Sequence, residues 1–336
     1  MDLFLKIVGV LALVVAVGVV GFGLFLWWGW RQMVRNIAPT PSTIDLLPDA
    51  EAKWLKTEAV QHDLAACEAL GYACGPAYTV EGIAGVGLVG LTHPESGASA
   101  VLYTHPVAGN WADLCLYFTD GFELTVTSAP MGEQMDSRPN TEKIYRKGAP
   151  LAELHALLVE RGAGRGEVDR FTPENFRERY IADYARTMAW RNAKDGTSEE
   201  EFMRVAAGHK RDLTPEQLRE AFMETKLGEL RTRSEEALET FEKSTTLSVA
   251  EWKKYEHLMI VYRANLHPEA YLNYLRMHVD VPEAEVARYR DALGGGLSLK
   301  GLMERMAADT RYGFVRLGDV KEPAPFEIYG LTLPPA

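Results

Sequence analysis

The chain has 336 residues, enough for two average domains or for one large domain with appendages. Its formal net charge of −11 predicts an acidic surface that repels nucleic acid, so we expect no nucleic-acid partner. The 3 cysteines, Cys67, Cys74 and Cys115, are sparse and odd in number, which argues against a disulfide framework.

An uncharged apolar run lies near the N-terminus. No residue from Ile7 to Trp30 carries a charge. As a helix this run would be about 36 Å long, against roughly 30 Å for the hydrocarbon core of a bilayer. We therefore predict one uncleaved transmembrane anchor within residues 1–35, in a single-pass protein of the cell membrane. A signal peptide is the alternative, but its apolar part is shorter, and no small-x-small cleavage site comes after this run.

The side of the membrane depends on few charges. Arg31 and Arg35 follow the run, whereas Lys6 alone precedes it. These cations favour a cytoplasmic soluble domain, although a signal anchor can instead export the domain on its C-terminal side. Ala12 and Ala16 form a small-xxx-small pair, which permits self-association through paired helices but does not require it.

A linker over residues 36–48 leads to a predicted α+β domain over residues 49–165. Asp49 can cap a helix that ends at Leu70, with Gly71 in the left-handed position beyond it. The apolar pattern then changes from helical to alternating, and turn residues recur. This pattern predicts a four-stranded antiparallel meander with strands at residues 86–91, 98–105, 111–118 and 122–128.

The turn between the last two strands sets their register. A three-residue loop with Gly121 in the left-handed conformation pairs Phe118 with Phe122 and gathers the apolar side chains on one face. A two-residue loop would mix apolar and polar residues on both faces, so we predict the longer loop. The opposite face is then polar and carries Trp111, Asp113, Cys115, Tyr117, Glu123, Thr125 and Thr127.

The remaining chain is predicted to be a mainly α-helical region over residues 166–310. Apolar seams at residues 215–243 and from Trp252 to Leu266, joined by a short loop, indicate an antiparallel helical hairpin. A Pro-rich tail over residues 311–336 could return as strands or lie along the surface. The predicted fold class is therefore α+β: one N-terminal transmembrane helix, a helix with a four-stranded antiparallel meander, and a helical region with a helical hairpin.

Motifs that carry chemistry are absent from the sequence. It contains no P-loop, His-Glu-x-x-His or Gly-x-Ser-x-Gly motif. The glycine-rich segment 82–90 opens into a strand instead of a helix, which indicates a closely approached strand and not a phosphate site. His62, Cys67 and Cys74 do not have the spacing of a common zinc site. We therefore expect no cofactor and no metal.

Three residues of the predicted sheet, His105, Asp113 and Cys115, remain as catalytic candidates. A histidine, a carboxylate and a thiol could form an activated nucleophile, although a turn histidine and a solvated polar face explain the same residues. Two functions stay open. The absence of motifs favours a non-catalytic, membrane-anchored interaction or scaffold module with a protein partner or copies of itself. The alternative is a membrane-anchored hydrolase or ligand-binding domain that uses the polar face of the meander.

Overall fold

A seven-stranded mixed sheet is the largest element of the computed structural model. The structure describes residues 40–130, 132–208, 214–244, 248, 250, 259–262, 266–279, 281–308, 314–320 and 326–331. The strands of the sheet lie side by side in chain order, and every neighbouring pair is antiparallel except β6 and β7. They are β1 (Asp45–Pro48), β2 (Ala73–Glu81), β3 (Gly87–Thr92), β4 (Ser99–His105), β5 (Gly109–Tyr117), β6 (Glu123–Thr127) and β7 (Thr141–Tyr145).

One face of the sheet is covered by two helices, α1 (Glu58–Ala69) and α2 (Leu151–Gly162). Side chains alternate between the two faces of a strand, so Leu114 and Leu116 of β5 point to the same side. There they join Leu154 and Leu158 of α2 in an apolar core, and both α2 leucines are fully buried. Burial of each such leucine contributes about 1.5–3 kcal/mol to folding.

The opposite face of the sheet carries α3 (Phe176–Ala193). Over β1 to β4 this face is apolar, and Phe176 packs there with Leu46, Leu88 and Val101. Gly90 of β3 permits this contact, because a Cβ built at Gly90 would lie less than 3.0 Å from the ring of Phe176. The prediction that the glycine-rich segment is a closely approached strand is thus confirmed.

Among the described residues, the C-terminal part contains five helices and a second sheet. The helices are α4 (Glu199–Gly208), α5 (Pro215–Ser244), α6 (Pro268–Val279), α7 (Glu283–Gly294) and α8 (Leu299–Ala308). Three antiparallel strands, β8 (Met259–Tyr262), β9 (Phe314–Val320) and β10 (Phe326–Leu331), pair in the order β8-β10-β9. A core that includes Leu230, Tyr271 and Leu302 joins α5, α6 and α8.

The predicted register of the β5–β6 hairpin is confirmed. Leu116 pairs with Leu124, the amide of Phe118 donates to the carbonyl of Phe122, and Gly121 has φ of +83°. The four predicted meander strands correspond to β3 to β6. The first helix is shorter than predicted, because a turn and a short 3-10 helix (Lys53–Lys56) precede α1, which begins at Glu58. Strand β1 lies within the predicted linker.

The predicted fold class is wrong, because the meander is part of a mixed sheet of seven strands. Strand β2 was not predicted because Gly75 and Pro76 interrupt its alternating pattern. In the structure these two residues lie where the pairing of β2 with β3 is irregular, between Cys74 and Ala77. Strand β7 was missed because it is largely polar. It also pairs in parallel with β6, and parallel strands are not joined by a tight turn that the sequence would reveal.

The predicted helical hairpin is also wrong at its second arm. Residues Met259–Tyr262, expected to be helical, form β8 and pair with β10 of the C-terminal tail. The first arm exists as α5, but its seam packs on α6, since Leu230 lies in one core with Tyr271 and Leu275. Residues with a helical period can form a strand when a partner strand far along the chain satisfies their backbone groups.

The predicted transmembrane anchor from Ile7 to Trp30 lies outside the described residues. Of the helices that the structure does describe, none is both long enough and apolar enough to cross a bilayer. The membrane location therefore stays a prediction from the sequence.

Candidate functional site

The polar face of the β5–β6 hairpin becomes the floor of a cavity. Strand pairing aligns side chains into three rows across β4 to β7, all on the face that α3 covers. The first row holds Val101, Asp113, Thr127 and Tyr145; the second holds Ser99, Cys115, Thr125 and Lys143; the third holds Tyr117, Glu123 and Thr141. The register of the hairpin thus fixes which side chains face one another.

Helix α3 forms the roof of this cavity. Its residues at helical spacing of three and four face the sheet, and each turn supplies one or two side chains. They are Phe176, Tyr180, Asp183, Tyr184, Thr187 and Arg191. The cavity has a volume of about 310 Å³ and is partly open to solvent. This volume lies at the lower end of the range of small-molecule sites, which runs from about 300 to 1,000 Å³.

A loop between β6 and β7 closes one side of the cavity with Met135, Asp136, Ser137 and Arg138. The fully buried carboxylate of Glu201 on α4 holds this loop by accepting a hydrogen bond from the amide of Asp136 at 3.2 Å. Arg191 of α3 also donates to Glu201, at 2.9 Å. The loop is therefore fixed to α4, and the buried Arg191–Glu201 ion pair joins α4 to α3.

Asp113 is a nearly buried carboxylate with few partners. Its side chain is 16% exposed, and its Oδ2 lies 3.9 Å from Nζ of Lys143, beyond hydrogen-bond distance. Its buried Oδ1 has no hydrogen-bond partner within the part of the chain that the structure describes. A carboxylate removed from water loses several kcal/mol of hydration unless donors replace the water. Asp113 is thus an acceptor that the protein leaves open.

Lys143 stays protonated beside Asp113. Burial opposes its positive charge, but Asp113 and further neighbouring groups outweigh burial and raise the pKa of Lys143 above its ordinary value. An amine held in its cationic form is a poor nucleophile. Lys143 therefore acts as a fixed positive charge on the cavity floor.

Arg138 joins two carboxylates at the end of the cavity. Its Nη2 donates to Glu123 at 2.5 Å and to Asp183 of α3 at 2.9 Å. Burial and then the negative charge of Asp183 raise the pKa of Glu123, against the opposing effect of Arg138. The Nε of Arg138 and Oγ1 of Thr141 are buried and, among the described residues, lack a hydrogen-bond partner. A donor and a hydroxyl are thus left open at this end.

Cys115 sits in the middle row as a neutral thiol. Burial, followed by the negative charges of Asp113 and Glu123, raises the pKa of Cys115 well above its ordinary value. Its Sγ lies 3.4 Å from Oγ1 of Thr125, which in turn donates to Glu123 at 3.1 Å. Because the thiolate is the reactive form, a raised pKa suppresses nucleophilic attack at neutral pH.

The three catalytic candidates do not converge. Asp113 and Cys115 both line the cavity, but His105 pairs with Gly109 at the far end of β4, whereas Cys115 pairs with Ser99 at the near end. Six residues of strand separate the two positions by about 20 Å. Nδ1 of His105 accepts hydrogen bonds from the amides of Val107 and Ala108, so the histidine stabilises a turn.

The cavity also contains residues that sequence reasoning did not single out. Lys143 and Arg138 come from the polar stretch after β6, and Tyr180 comes from α3, far along the chain. Only the stripe of Phe176, Tyr180 and Tyr184 at helical spacing was visible as a signal, and such a stripe is equally typical of a core. Within the described ranges, no group of three or more His, Cys, Asp or Glu side chains is arranged to hold a metal ion.

The chain was compared with protein-family models, with curated proteins and with solved structures. None of these comparisons found a match. The function is therefore inferred from the geometry of the cavity.

Proposed function

We propose that this protein is a binding protein for a small polar molecule, held in the cavity between the polar face of the sheet and α3. The observation that carries the proposal is the buried carboxylate of Asp113, whose Oδ1 has no partner among the described residues. Buried polar groups in folded proteins are nearly always satisfied by protein or by ordered water, so an unsatisfied one calls for a specific explanation. A bound molecule would supply the missing donor.

Binding is supported over catalysis by the state of the reactive groups. The thiol of Cys115 has a raised pKa, and the amine of Lys143 is kept protonated. His105 lies at the other end of β4 and can serve neither group as a base. The proposal thus takes up the ligand-binding alternative of the sequence analysis and leaves the hydrolase aside.

The scaffold function favoured by the sequence has less support. The sequence favours it because motifs that carry chemistry are absent, but the apolar seam of α5, which lies within the described residues, offers no docking surface, since Leu230, Ala237 and Phe241 of this seam are buried. Among the described residues, the large exposed hydrophobic side chains do not include any on α5. A protein partner or self-association stays a prediction.

A ligand-observed NMR screen tests the proposed binding. The purified full-length protein, its Asp113→Asn variant and a matched Asp291→Asn variant are screened against soluble metabolites that include cations, anions and neutral polar molecules. Asp291 is exposed on α7, so its substitution controls for the loss of one negative charge. We expect at least one compound that binds the wild type and the Asp291→Asn variant but not the Asp113→Asn variant. A screen without such a compound would contradict the proposal.

We propose that the binding domain works at a membrane surface, on the basis of the uncharged run from Ile7 to Trp30. Alkaline washing of membranes removes peripheral proteins and should leave this chain in the pellet. Protease added to intact cells should spare the domain if it is cytoplasmic. Release into the alkaline supernatant would contradict the location, and digestion from outside would reverse only the side.

A further inference from the structure

We infer that the cavity takes an uncharged polyhydroxyl molecule about the size of a monosaccharide or a nucleoside, with ring hydroxyls that donate to Asp113 and accept from Arg138. This inference depends on the proposed binding function and narrows it to one class of ligand. It rests on the charge balance of the cavity, its open hydrogen-bonding atoms and its aromatic walls.

The charges that line the cavity are compensated by partners within the protein. Nζ of Lys143 lies 3.9 Å from Oδ2 of Asp113. Arg138 contacts both Glu123 and Asp183, and Arg186 adds a second positive charge 3.5 Å from Asp183. Arg191 is paired with the buried Glu201. A cationic ligand at Asp113 would face Lys143, while an anionic ligand at Arg138 would face two carboxylates. A neutral ligand meets neither repulsion.

The buried atoms without a partner among the described residues are of both hydrogen-bonding types. They expose almost no surface to the cavity, so a ligand reaches them through small movements of these side chains. Oδ1 of Asp113 can only accept, Nε of Arg138 can only donate, and the hydroxyl of Thr141 can do either. Asp113 pairs with Thr127, whereas Thr141 pairs with Glu123 four residues earlier on β6, so the open atoms lie toward opposite ends of the floor. A ligand that satisfies both ends must carry several groups that donate and accept, as a polyhydroxyl ring does.

The walls add apolar contact without further charge. Phe171, Phe176, Tyr103, Tyr117 and Tyr180 contribute aromatic rings to the lining. Burial raises the pKa values of the three tyrosines, so their phenols are neutral donors and acceptors. Aromatic rings with a few placed polar groups suit a molecule that has an apolar C–H face and a rim of hydroxyls. The volume of about 310 Å³ accommodates one molecule of this size.

Probes that share one sugar ring and differ in charge test this class. Dissociation constants are measured by NMR titration of the full-length protein with methyl α-D-glucopyranoside, D-glucosamine and D-glucuronate, which are neutral, cationic and anionic. Adenosine is added as a fourth probe, because its ribose presents vicinal hydroxyls from a different source. We expect the glucoside or adenosine to bind at least about tenfold more tightly than either charged sugar.

Two variants locate the binding. Asp113→Asn should weaken binding of the neutral probe about tenfold or more, because it removes a charged acceptor. Thr141→Val, which preserves side-chain shape and removes only an open hydroxyl, should weaken it several-fold, while Asp291→Asn should leave it unchanged. Equal binding by wild type and both cavity variants would overturn the inference.

The failure of this inference can be told apart from failure of the proposed function. Tightest binding by glucosamine or by glucuronate, or no binding by any of the four probes, would overturn the polyhydroxyl class. The proposed function would still stand if the metabolite screen yielded a compound that depends on Asp113. It would fall together with the inference only if that screen also yielded none.

Discussion

Replacing Gly90 by alanine puts a methyl group where the ring of Phe176 lies. The ideal Cβ position is less than 3.0 Å from three atoms of that ring, a separation that real Cβ atoms essentially never show. Strand β3 is the third strand of the sheet and every residue in it is buried, so the backbone has little room to yield. The start of α3, which begins at Phe176, must move instead.

The magnitude is set by two opposing effects. Inserting a methyl group into a packed core costs about 1–3 kcal/mol. Alanine also lowers the entropy of the unfolded chain relative to glycine, which offsets roughly 0.5–1 kcal/mol of this cost. We therefore expect Gly90→Ala to lower the free energy of unfolding by roughly 1 kcal/mol, within a range of about 0–2.5 kcal/mol. Because Phe176 lines the cavity, ligand binding should weaken as well.

Urea unfolding followed by tryptophan fluorescence measures this change. The matched control is Gly294→Ala, because a Cβ at Gly294 has no heavy atom within 4 Å. That variant should be as stable as the wild type or up to about 1 kcal/mol more stable.

A double-mutant cycle with Phe176→Leu tests the named contact, since Gly90→Ala should cost less once the ring is gone. An equal cost of Gly90→Ala in both backgrounds would refute the reasoning.

Three further predictions use the same purified protein. Asp113→Asn should change the free energy of unfolding by less than about 1 kcal/mol, because it removes a carboxylate whose Oδ1 has no partner among the described residues but also the negative charge 3.9 Å from Lys143; a loss of about 2 kcal/mol or more in urea would show that the residue is structural. Gly121→Ala should lower the free energy of unfolding by about 1 kcal/mol, because φ at Gly121 is +83° and this conformation disfavours a Cβ. A Cβ there meets no atom within 4 Å, so the cost comes from the backbone conformation alone, and a cost near zero would count against the left-handed assignment. Burial and the neighbouring His93 lower the pKa of His155 below 6.5. Just below pH 6.5 the unfolded state therefore binds more protons than the folded state, so the contribution of His155 to stability falls on acidification. An NMR titration midpoint for His155 at or above 6.5 would contradict this.

Local patterns predicted the part of the fold that is contiguous in sequence. The β5–β6 hairpin was assigned to the correct register because sorting its apolar residues to one face leaves a single consistent loop length. The residues Thr214-Pro-Glu-Gln217 likewise predict the start of α5, because they form a capping-box sequence, and Thr214 and Gln217 do exchange hydrogen bonds at 2.9 and 3.3 Å. Both predictions needed only neighbouring residues.

The predictions that failed needed partners distant in the chain. Strand β8 exists because Ile328 of the C-terminal tail pairs with Val261, a separation that no local pattern encodes. Strand β7 has a polar sequence and is identified only by its parallel pairing with β6. The free energy of pairing with a distant strand outweighs the local propensity of the residues.

One side of the candidate site could be predicted from the sequence. The polar face with Asp113, Cys115 and Glu123 was predicted from the hairpin register, and it is the floor of the cavity. The roof of the cavity could not be predicted, because Tyr180 and Asp183 reach the cavity only through the packing of α3 across the sheet. His105 was misjudged because residues of one sheet can still lie a full strand length apart.

Crystals of the purified protein soaked in the tightest-binding compound of the screen test the central claim most directly. We predict density for that compound between the sheet and α3, with a donor atom within about 3.2 Å of Oδ1 of Asp113. The claim would be contradicted by an empty cavity in which Lys143, or another group of the protein, donates to Oδ1 of Asp113 at that distance. Such a contact would make Asp113 a structural residue.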